Sequence, residues 1–418
     1  MSAPASTTVV DTYHRKLIVF LSVATFFEGY DMFALAQILP NLRAEFHLDE
    51  TQAGILLSIV SAGTVLAGFL VRLADRVGRK TVLSITIAGY TIFSLLTALS
   101  PNIYVFALAQ LLARIFLIGE WAVAMVIAAE EFPAEKRGTL IGVIQACATF
   151  GGIACAALVP FLVRTSLGWR AVYVAGAIPL LLVAVARRGL RETRRFTEQV
   201  KDRPADANGA LARGRLVAML RGPYRVRIIQ LGIIWSLSYI CTQAATMFWK
   251  EFAVHERAFT DKEVGGSLTI AAIVAMPIVF YSGRILDVLG RRVGGALVFI
   301  VAAVGVALAY LLHGRVELTI GLVLAIAGTN AVLPLLNAYT AELFPTEMRA
   351  DAFAVSNNVL GRIGYVLAPT LVGVVAQRTS WSFAVSCTSL SLLLAIALLW
   401  KVMPETKGRE LEETSRVS

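Results

Sequence analysis

Charged side chains are scarce in this 418-residue chain. Asp, Glu, Lys and Arg make up 16% of it, against about 25% in a typical soluble protein. Histidine and cysteine, the usual ligands of transition metals, occur only four times each. The cysteines lie in apolar runs, with no CxxC spacing and no adjacent histidine: Cys147, Cys155, Cys241 and Cys387. We therefore expect no disulfide framework, no metal site, no other cofactor and no catalytic residues.

Long apolar runs take the place of charge. Hydrophobic residues make up 57% of the chain and the mean hydropathy is +0.72. An apolar run of about 20 residues can cross a hydrocarbon core of about 30 Å as a helix. The sequence therefore predicts an all-α membrane protein with twelve transmembrane helices, at 17–40, 52–74, 81–99, 103–130, 139–163, 169–187, 227–250, 264–286, 293–312, 318–343, 352–377 and 381–402.

Basic residues exceed acidic ones and give a net charge of +10. They are concentrated in short loops and in a central segment between the sixth and seventh runs. Basic loops of this kind mark the cytoplasmic side of a membrane protein, whereas a nucleic-acid-binding protein carries a basic face on a folded domain. We expect a multi-pass protein of a bacterial inner membrane, with both termini cytoplasmic and no nucleic-acid partner.

Two loop motifs recur at one constant offset. The segment Gly68–Lys80 returns as Ser282–Arg292, with Asp287 following Asp75 by 212 positions. A second motif, Glu130–Arg137, returns as Glu342–Arg349 at the same offset. Two unrelated motifs that share one offset indicate two homologous halves. The predicted domains are a six-helix bundle at 1–187, a cytoplasmic linker at 188–226, and a second six-helix bundle with a short tail at 227–418.

The Gly68–Lys80 loop and its copy resemble the loops that follow the second and eighth helices in the major facilitator superfamily. The resemblance implies two pseudo-symmetric six-helix bundles, a monomer, and transport by alternating access. It also assigns the loop charges to a gate that forms in one state and breaks in the other. The gating candidates are Asp75, Arg76, Arg79, Glu130 and Arg137 in the first half, and Asp287, Arg291, Glu342 and Arg349 in the second.

Other charges lie deep inside predicted helices. Glu28 and Asp31 are three residues apart on one face of the first helix, and Arg114 and Glu120 lie in the fourth. None of them recurs at the 212 offset. An ionisable side chain at this depth is expensive to bury and indicates a functional site, with a structural ion pair as the alternative. Asp31 is the first candidate for proton coupling, followed by Glu28 and Glu120.

Three helix motifs resemble those of particular branches of the superfamily. Arg114-x4-Gly-Glu120-Trp is similar to the metabolite:proton symporters, although the doubled glycine of that family is absent, and Glu28-Gly-Tyr-Asp31 is similar to the aromatic-acid:proton symporters. Asn358-x3-Arg362-x-Gly resembles the eleventh helix of organic-ion transporters. The substrate-binding candidates are Arg114, Arg362, Tyr30, Trp235, Tyr239, Gln243, Asn330, Asn337 and Asn358.

Two arginines deep in the helices suit an anionic substrate, because a guanidinium binds a carboxylate through two parallel hydrogen bonds. The sequence therefore predicts a proton-coupled symporter of a small organic acid, whose partners are the substrate, the proton and the lipid bilayer. A sugar or polyol porter and a drug:proton antiporter are the alternatives, although Cys241-Thr-Gln243-Ala-Ala lacks the seventh-helix pattern of sugar porters. A membrane enzyme or a sensor finds no supporting motif.

Overall fold

The computed structural model describes residues 12–132, 134–177, 222–345 and 348–408. These residues form helices joined by short turns, and no strand occurs among them. Within this part of the chain, eleven helices are long and apolar enough to cross a membrane. They correspond to eleven of the twelve predicted spans. The remaining span, 169–187, is described only as far as residue 177 and is helical from 170. The prediction of an all-α membrane protein is confirmed.

The helices fall in the following order along the chain. The first half contains α1 (Thr12–Phe46), α2 (Glu50–Leu66), α3 (Gly68–Val77), α4 (Arg79–Ala98), α5 (Ile103–Glu131) and α6 (Ala134–Leu162). The second half contains α7 (Arg225–Met247), α8 (Trp249–His255), α9 (Asp261–Leu289), α10 (Arg291–Leu311), α11 (Arg315–Glu342), α12 (Arg349–Phe353), a π-helix (Ala354–Gly361), α13 (Arg362–Arg378) and α14 (Trp381–Val402).

Contacts divide these helices into two compact units. The first unit holds the described residues of 12–35 and 66–177, and the second holds those of 36–65 and 222–408. Helix α1 therefore contributes to both units. It contains Pro40, which lacks an N–H and so leaves the carbonyl of Ala36 without its helical partner. The predicted linker lies outside the described residues except for 222–226, and the division of the chain into 1–187 and 227–418 stays a prediction.

Helices α1 and α6 touch backbone to backbone in the first unit. A Cβ added to Gly29 would lie 1.9 Å from the carbonyl oxygen of Ala148, and one added to Gly151 would lie 1.8 Å from that of Phe26. Small residues permit this approach in a membrane, where close van der Waals packing drives helix association. The contact fixes the face of α1 that carries Glu28 and Asp31.

In the second unit a close backbone contact at a glycine likewise joins α7 to α13. A Cβ at Gly364 would lie 2.1 Å from the carbonyl oxygen of Ser236. The π-helix Ala354–Gly361 comes directly before α13. Its wider turn inserts one residue into the register, and such insertions occur frequently at functional sites. Together, the close contact and the register shift position Arg362 against α7.

Candidate functional site

Four buried ionisable residues gather in the first unit. Glu28 and Asp31 of α1 are 7% and 3% exposed, and Arg114 and Glu120 of α5 are 4% and 3% exposed. Arg114 lies within electrostatic range of both Glu28 and Asp31. Glu28 is also within electrostatic range of Glu120. The structure thus brings the predicted proton-coupling residues together with one of the two predicted substrate arginines, and we call these four residues the acidic cluster.

The acidic cluster contains more acids than bases. The cluster holds three carboxyl groups and one guanidinium, which lies within electrostatic range of Glu28 and Asp31. The Oε1 atom of Glu120 has no hydrogen-bond partner among the described residues. A buried charge without a partner is strongly unfavourable. A proton is the smallest ligand that can remove such a charge. The composition of the cluster therefore suits reversible proton binding.

Polar side chains from neighbouring helices complete this site. Ser94 of α4 donates a hydrogen bond of 3.4 Å from Oγ to Oδ1 of Asp31, and Tyr90 of α4 lies within electrostatic range of the same carboxyl group. Sequence reasoning missed both residues, because no local pattern connects α4 to α1. The hydroxyl of Tyr30 donates to the carbonyl of Val172 at 3.1 Å, so this predicted substrate residue makes a buried backbone contact within its own unit.

A second cluster surrounds Arg362 in the second unit. Its guanidinium carbon lies 5.2 Å from the ring centroid of Tyr239 and 4.7 Å from that of Tyr365. Trp235 stacks on Tyr239 at 5.5 Å between centroids. The hydroxyl of Tyr239 donates to Oδ1 of Asn357 at 2.9 Å. We call these five residues the arginine cluster.

The guanidinium of Arg362 is held by aromatic faces and not by an acid. Among the residues that the structure describes, no carboxylate forms a salt bridge with it. Tyrosine rings attract a cation through their quadrupole but leave the N–H donors in the plane of the guanidinium free to bind an anion. Arg362 is therefore oriented by the two rings, and no carboxylate of the described residues neutralises it.

The remaining substrate candidates form no hydrogen bond with the arginine cluster in the described part of the chain. Gln243 donates to Oγ of Ser61 at 3.4 Å, and Asn330 donates to the carbonyl of Ile326 in its own helix at 2.8 Å. Asn337 and Asn358 are exposed, and no hydrogen bond joins either of them to the cluster in the part of the chain that is described.

Asn357 takes the place that the sequence suggested for Asn358. An α-helix would put residues 358 and 362 on one face, but the intervening turn is a π-helix, in which i and i+5 are aligned. Asn357 is five residues before Arg362. The π-helix explains why Asn357, and not Asn358, contacts the arginine cluster, and no sequence pattern predicted it.

The duplicated loop motifs form the same contacts in each unit. Arg79 donates to Oε1 of Glu130 at 3.3 Å and to the carbonyl of Ala74 at 3.2 Å. Arg291 donates to Oε1 of Glu342 at 2.8 Å and to the carbonyl of Leu286 at 3.1 Å. Each residue of the second set follows its counterpart by 212 positions. The repeat is therefore structural as well as sequential.

The other gating candidates differ in what the structure shows. Asp287 accepts a hydrogen bond from Arg291 at 2.8 Å, and Arg76 is exposed. Nε and Nη2 of the partly buried Arg349 have no hydrogen-bond partner within the described ranges. The side chains of Asp75 and Arg137 lie outside the part of the chain that is described.

The segment after α14 binds the beginning of α10. The carboxylate of Glu405 accepts from the backbone N–H groups of Arg291 at 2.8 Å and Arg292 at 2.9 Å. Thr406 donates to Oε2 of Glu342 at 2.5 Å. Partial burial alone would raise the pKa of Glu405, but the backbone N–H groups that it accepts from outweigh burial and hold the pKa below its usual value. No functional role was predicted for this segment from the sequence, and the structure shows that it caps α10.

Spanning helices with buried, unduplicated charges and two structurally repeated loops are typical of a membrane transporter. The chain belongs to the Major Facilitator Superfamily, whose family model matches residues 21–369 and 233–417. The prediction of the family from the loop motifs is confirmed.

Individual relatives are similar at modest identity. A Bacillus subtilis protein provisionally named as the niacin/nicotinamide transporter NiaP is 27% identical over 95% of this chain and 98% of its own length. A Cupriavidus pinatubonensis protein provisionally named as a 4-methylmuconolactone transporter is 24% identical over 92% and 89%. The structure of a bacterial homologue of the human lysosomal transporter Spinster superposes with a TM-score of 0.77 at 15% identity, covering 93% of this chain and 97% of that one. At this low identity, the similarity to the Spinster homologue concerns the fold alone.

Proposed function

We propose that this transporter is a proton-coupled symporter of a small organic acid that works by alternating access. The observation that carries the proposal is Arg362, a guanidinium oriented by Tyr239 and Tyr365 and without an acidic partner among the described residues. A carboxylate fits such a group through two parallel hydrogen bonds. A neutral sugar would leave the charge uncompensated.

The aromatic side chains around Arg362 favour a planar substrate. Trp235 and Tyr239 are stacked with 29° between their planes, and Tyr365 meets Tyr239 edge-on at 87°. The two relatives with named compounds support this choice, because niacin and 4-methylmuconolactone are both small ring compounds. Tyr239 and Asn357 are the further contacts that we assign to the substrate.

The acidic cluster supports proton coupling. Asp31 is our first choice for the group that carries the proton, since it is buried, faces Arg114 and accepts from Ser94. Arg114 is the counter-ion that holds the deprotonated form. Glu28 and Glu120 are the alternative carriers within the same cluster.

The repeated loop contacts support a role in gating. Arg79 with Glu130, and Arg291 with Glu342, tie the start of one helix to the end of another in each unit. Arg79 is buried, whereas Glu130, Arg291 and Glu342 keep part of their exposure. Ion pairs that keep contact with solvent contribute modestly, which suits contacts that break once in each transport cycle. We also propose that these loops face the cytoplasm of a bacterial cell, with both termini on that side, and that the transporter is a monomer.

Uptake into proteoliposomes tests the proposal. The purified protein is offered labelled nicotinate, benzoate and lactate, and also nicotinamide and xylose, with and without an inside-alkaline pH gradient. We expect at least one acid to accumulate only with the gradient, and its neutral counterpart to accumulate less. Uptake of xylose or nicotinamide in preference to all the acids would overturn the assignment of an organic acid. Accumulation that ignores the gradient would overturn proton coupling.

A further inference from the structure

A helical hairpin within the second unit is attached to it at several points. This hairpin segment, residues 36–65, comprises the end of α1, the following turn and most of α2. Ser58 accepts from Oγ1 of Thr370 at 2.7 Å, and a Cβ at Gly54 would lie 2.4 Å from the carbonyl oxygen of Pro369. The only salt bridge between the hairpin segment and the rest of the described second unit joins Arg43 to Glu251.

Glu251 of α8 is a buried carboxylate with two basic neighbours. Its side chain is 0% exposed, and Arg43 and His255 both contact the same atom, Oε1. Nδ1 of His255 lies 3.0 Å from that oxygen. The other oxygen, Oε2, has no hydrogen-bond partner among the residues that the structure describes. One carboxylate oxygen is therefore shared by the hairpin segment and by a titratable side chain of the same helix.

Solvent reaches this site through a cavity. The cavity has a volume of about 480 Å³, and its lining includes Arg43, Glu50, His255, Glu256, Arg257 and Trp381. The side chain of His255 is 47% exposed, while Glu251 behind it is fully enclosed. A proton from solvent can therefore reach the imidazole without any rearrangement of the helices.

We propose that Glu251 and His255 form a second proton-binding site, separate from the acidic cluster. A proton bound there replaces Arg43 as the counter-ion of Glu251, removes the ionic contact of the hairpin segment and so favours its release. With His255 neutral, Arg43 is the cation that compensates the buried carboxylate, and its departure would leave that charge unpaired. With His255 protonated, the imidazolium donates a charge-assisted hydrogen bond to Glu251. Arg43 can then leave without exposing an uncompensated charge.

The other charges around His255 agree with this competition. Glu50 of α2 binds Arg43 at 2.5 Å and can hold it after release, since both belong to the hairpin segment. Glu256 accepts from the backbone of Trp381 and Ser382. Arg257 donates to the carbonyls of Leu312 and Tyr310. Neither Glu256 nor Arg257 forms a salt bridge with the Glu251–His255 pair in the described structure.

The direction of the pH effect follows from which charges change on release. The hydrogen bond from His255 to Glu251 raises the pKa of the imidazole, and the charge of Arg43 lowers it. Both partners of that hydrogen bond lie on α8, so it persists when the hairpin segment moves away, whereas the opposing effect of Arg43 is removed. The pKa of His255 is therefore higher in the released state. Release is favoured as the pH falls through that pKa, by at most about tenfold per pH unit for one proton.

Spin-label distances test the proposal. Labels at Ile55 on the hairpin segment and Val316 on α11 occupy exposed positions of the second unit, in a background without the native cysteines. Pulsed dipolar spectroscopy then measures the attached and released populations between about pH 8 and about pH 5.5, a range that brackets the ordinary histidine pKa. We expect the released population of the parent protein to rise as the pH falls.

Three variants make the result specific. His255→Gln cannot supply a cation and should keep the attached population at every pH in this range. Glu251→Gln removes the buried charge for which Arg43 and His255 compete, and it should also abolish the pH response. His47→Asn is the matched control, because His47 is an exposed histidine of the same hairpin at φ 52°, a conformation that asparagine tolerates, and it should respond like the parent.

Two outcomes would overturn the proposal. One is an identical pH profile in the parent and in His255→Gln, which would place any titrating group elsewhere. The other is a parent protein whose attached population grows as the pH falls. His255 is half-exposed, so His255→Gln is expected to fold, and the comparison does not depend on the buried Glu251 variant.

Discussion

Replacing Arg362 with lysine should separate substrate binding from folding. Lysine keeps the positive charge near the rings of Tyr239 and Tyr365 but cannot present two parallel donors to a carboxylate. A hydrogen bond to a charged group contributes about 1.5–3 kcal/mol. Loss of one such bond should therefore raise the Kd of an acidic substrate by about 10- to 150-fold.

The stability of the protein should hardly change in the same variant. No carboxylate among the described residues is left unpaired when the guanidinium is removed, and the cation–π attraction, about 0.5–1 kcal/mol for each partly exposed contact, is largely kept by lysine. We expect the free energy of unfolding to fall by less than about 1 kcal/mol. Affinity and stability thus respond very differently to one substitution.

Equilibrium binding in lipid nanodiscs, with nicotinate and nicotinamide as a matched acid and amide, measures the first effect, and thermal unfolding measures the second. Arg378→Lys serves as the control, because Arg378 is exposed in the last turn of the same helix, α13. An Arg362→Lys variant that binds the acid within twofold of the parent would refute the role of Arg362. Equal losses for acid and amide would show that the substitution disturbs the pocket as a whole.

Three further predictions concern coupling, capping and orientation. Asp31→Asn should abolish the accumulation of substrate inside proteoliposomes, which for one coupled proton is limited to about tenfold per pH unit, and the inside-to-outside ratio should fall to near one. Exchange of substrate across the membrane should be preserved. If Asp31→Asn and Glu28→Gln both still accumulate substrate, Glu120 becomes the carrier. Glu405→Gln should lower the free energy of unfolding by about 1 kcal/mol at neutral pH through loss of the α10 cap. The difference in free energy of unfolding between the parent and Glu405→Gln, measured by denaturation, should disappear as the pH falls below about 4.3 and through the lowered pKa of Glu405. A stability difference that persists at acid pH would exclude the cap. A cysteine at Val316 should react with an impermeant maleimide in intact cells and one at Val288 should not; the reverse pattern would invert the proposed topology.

The helices and the family could be predicted from the sequence because both depend on local information. A chain in lipid must satisfy its backbone hydrogen bonds within each segment, so apolar length alone located the eleven spans that the structure describes. The offset of 212 between Asp75 and Asp287 identified the two homologous halves. It also placed Glu130 and Glu342 at equivalent positions of the repeat, and the structure pairs them with the equivalent arginines Arg79 and Arg291.

The side chains that complete each site were decided by the tertiary structure, because they lie on helices far apart in the sequence. Asn357 faces Tyr239 only because a π-helix shifts the register before Arg362. Ser94 reaches Asp31 from a different helix, 63 residues along the chain. The contact between Arg43 and Glu251 spans 208 residues, with no local pattern at either end. Burial turns such distant pairs into strong constraints, since a charge removed from water must find its partner wherever the fold supplies one.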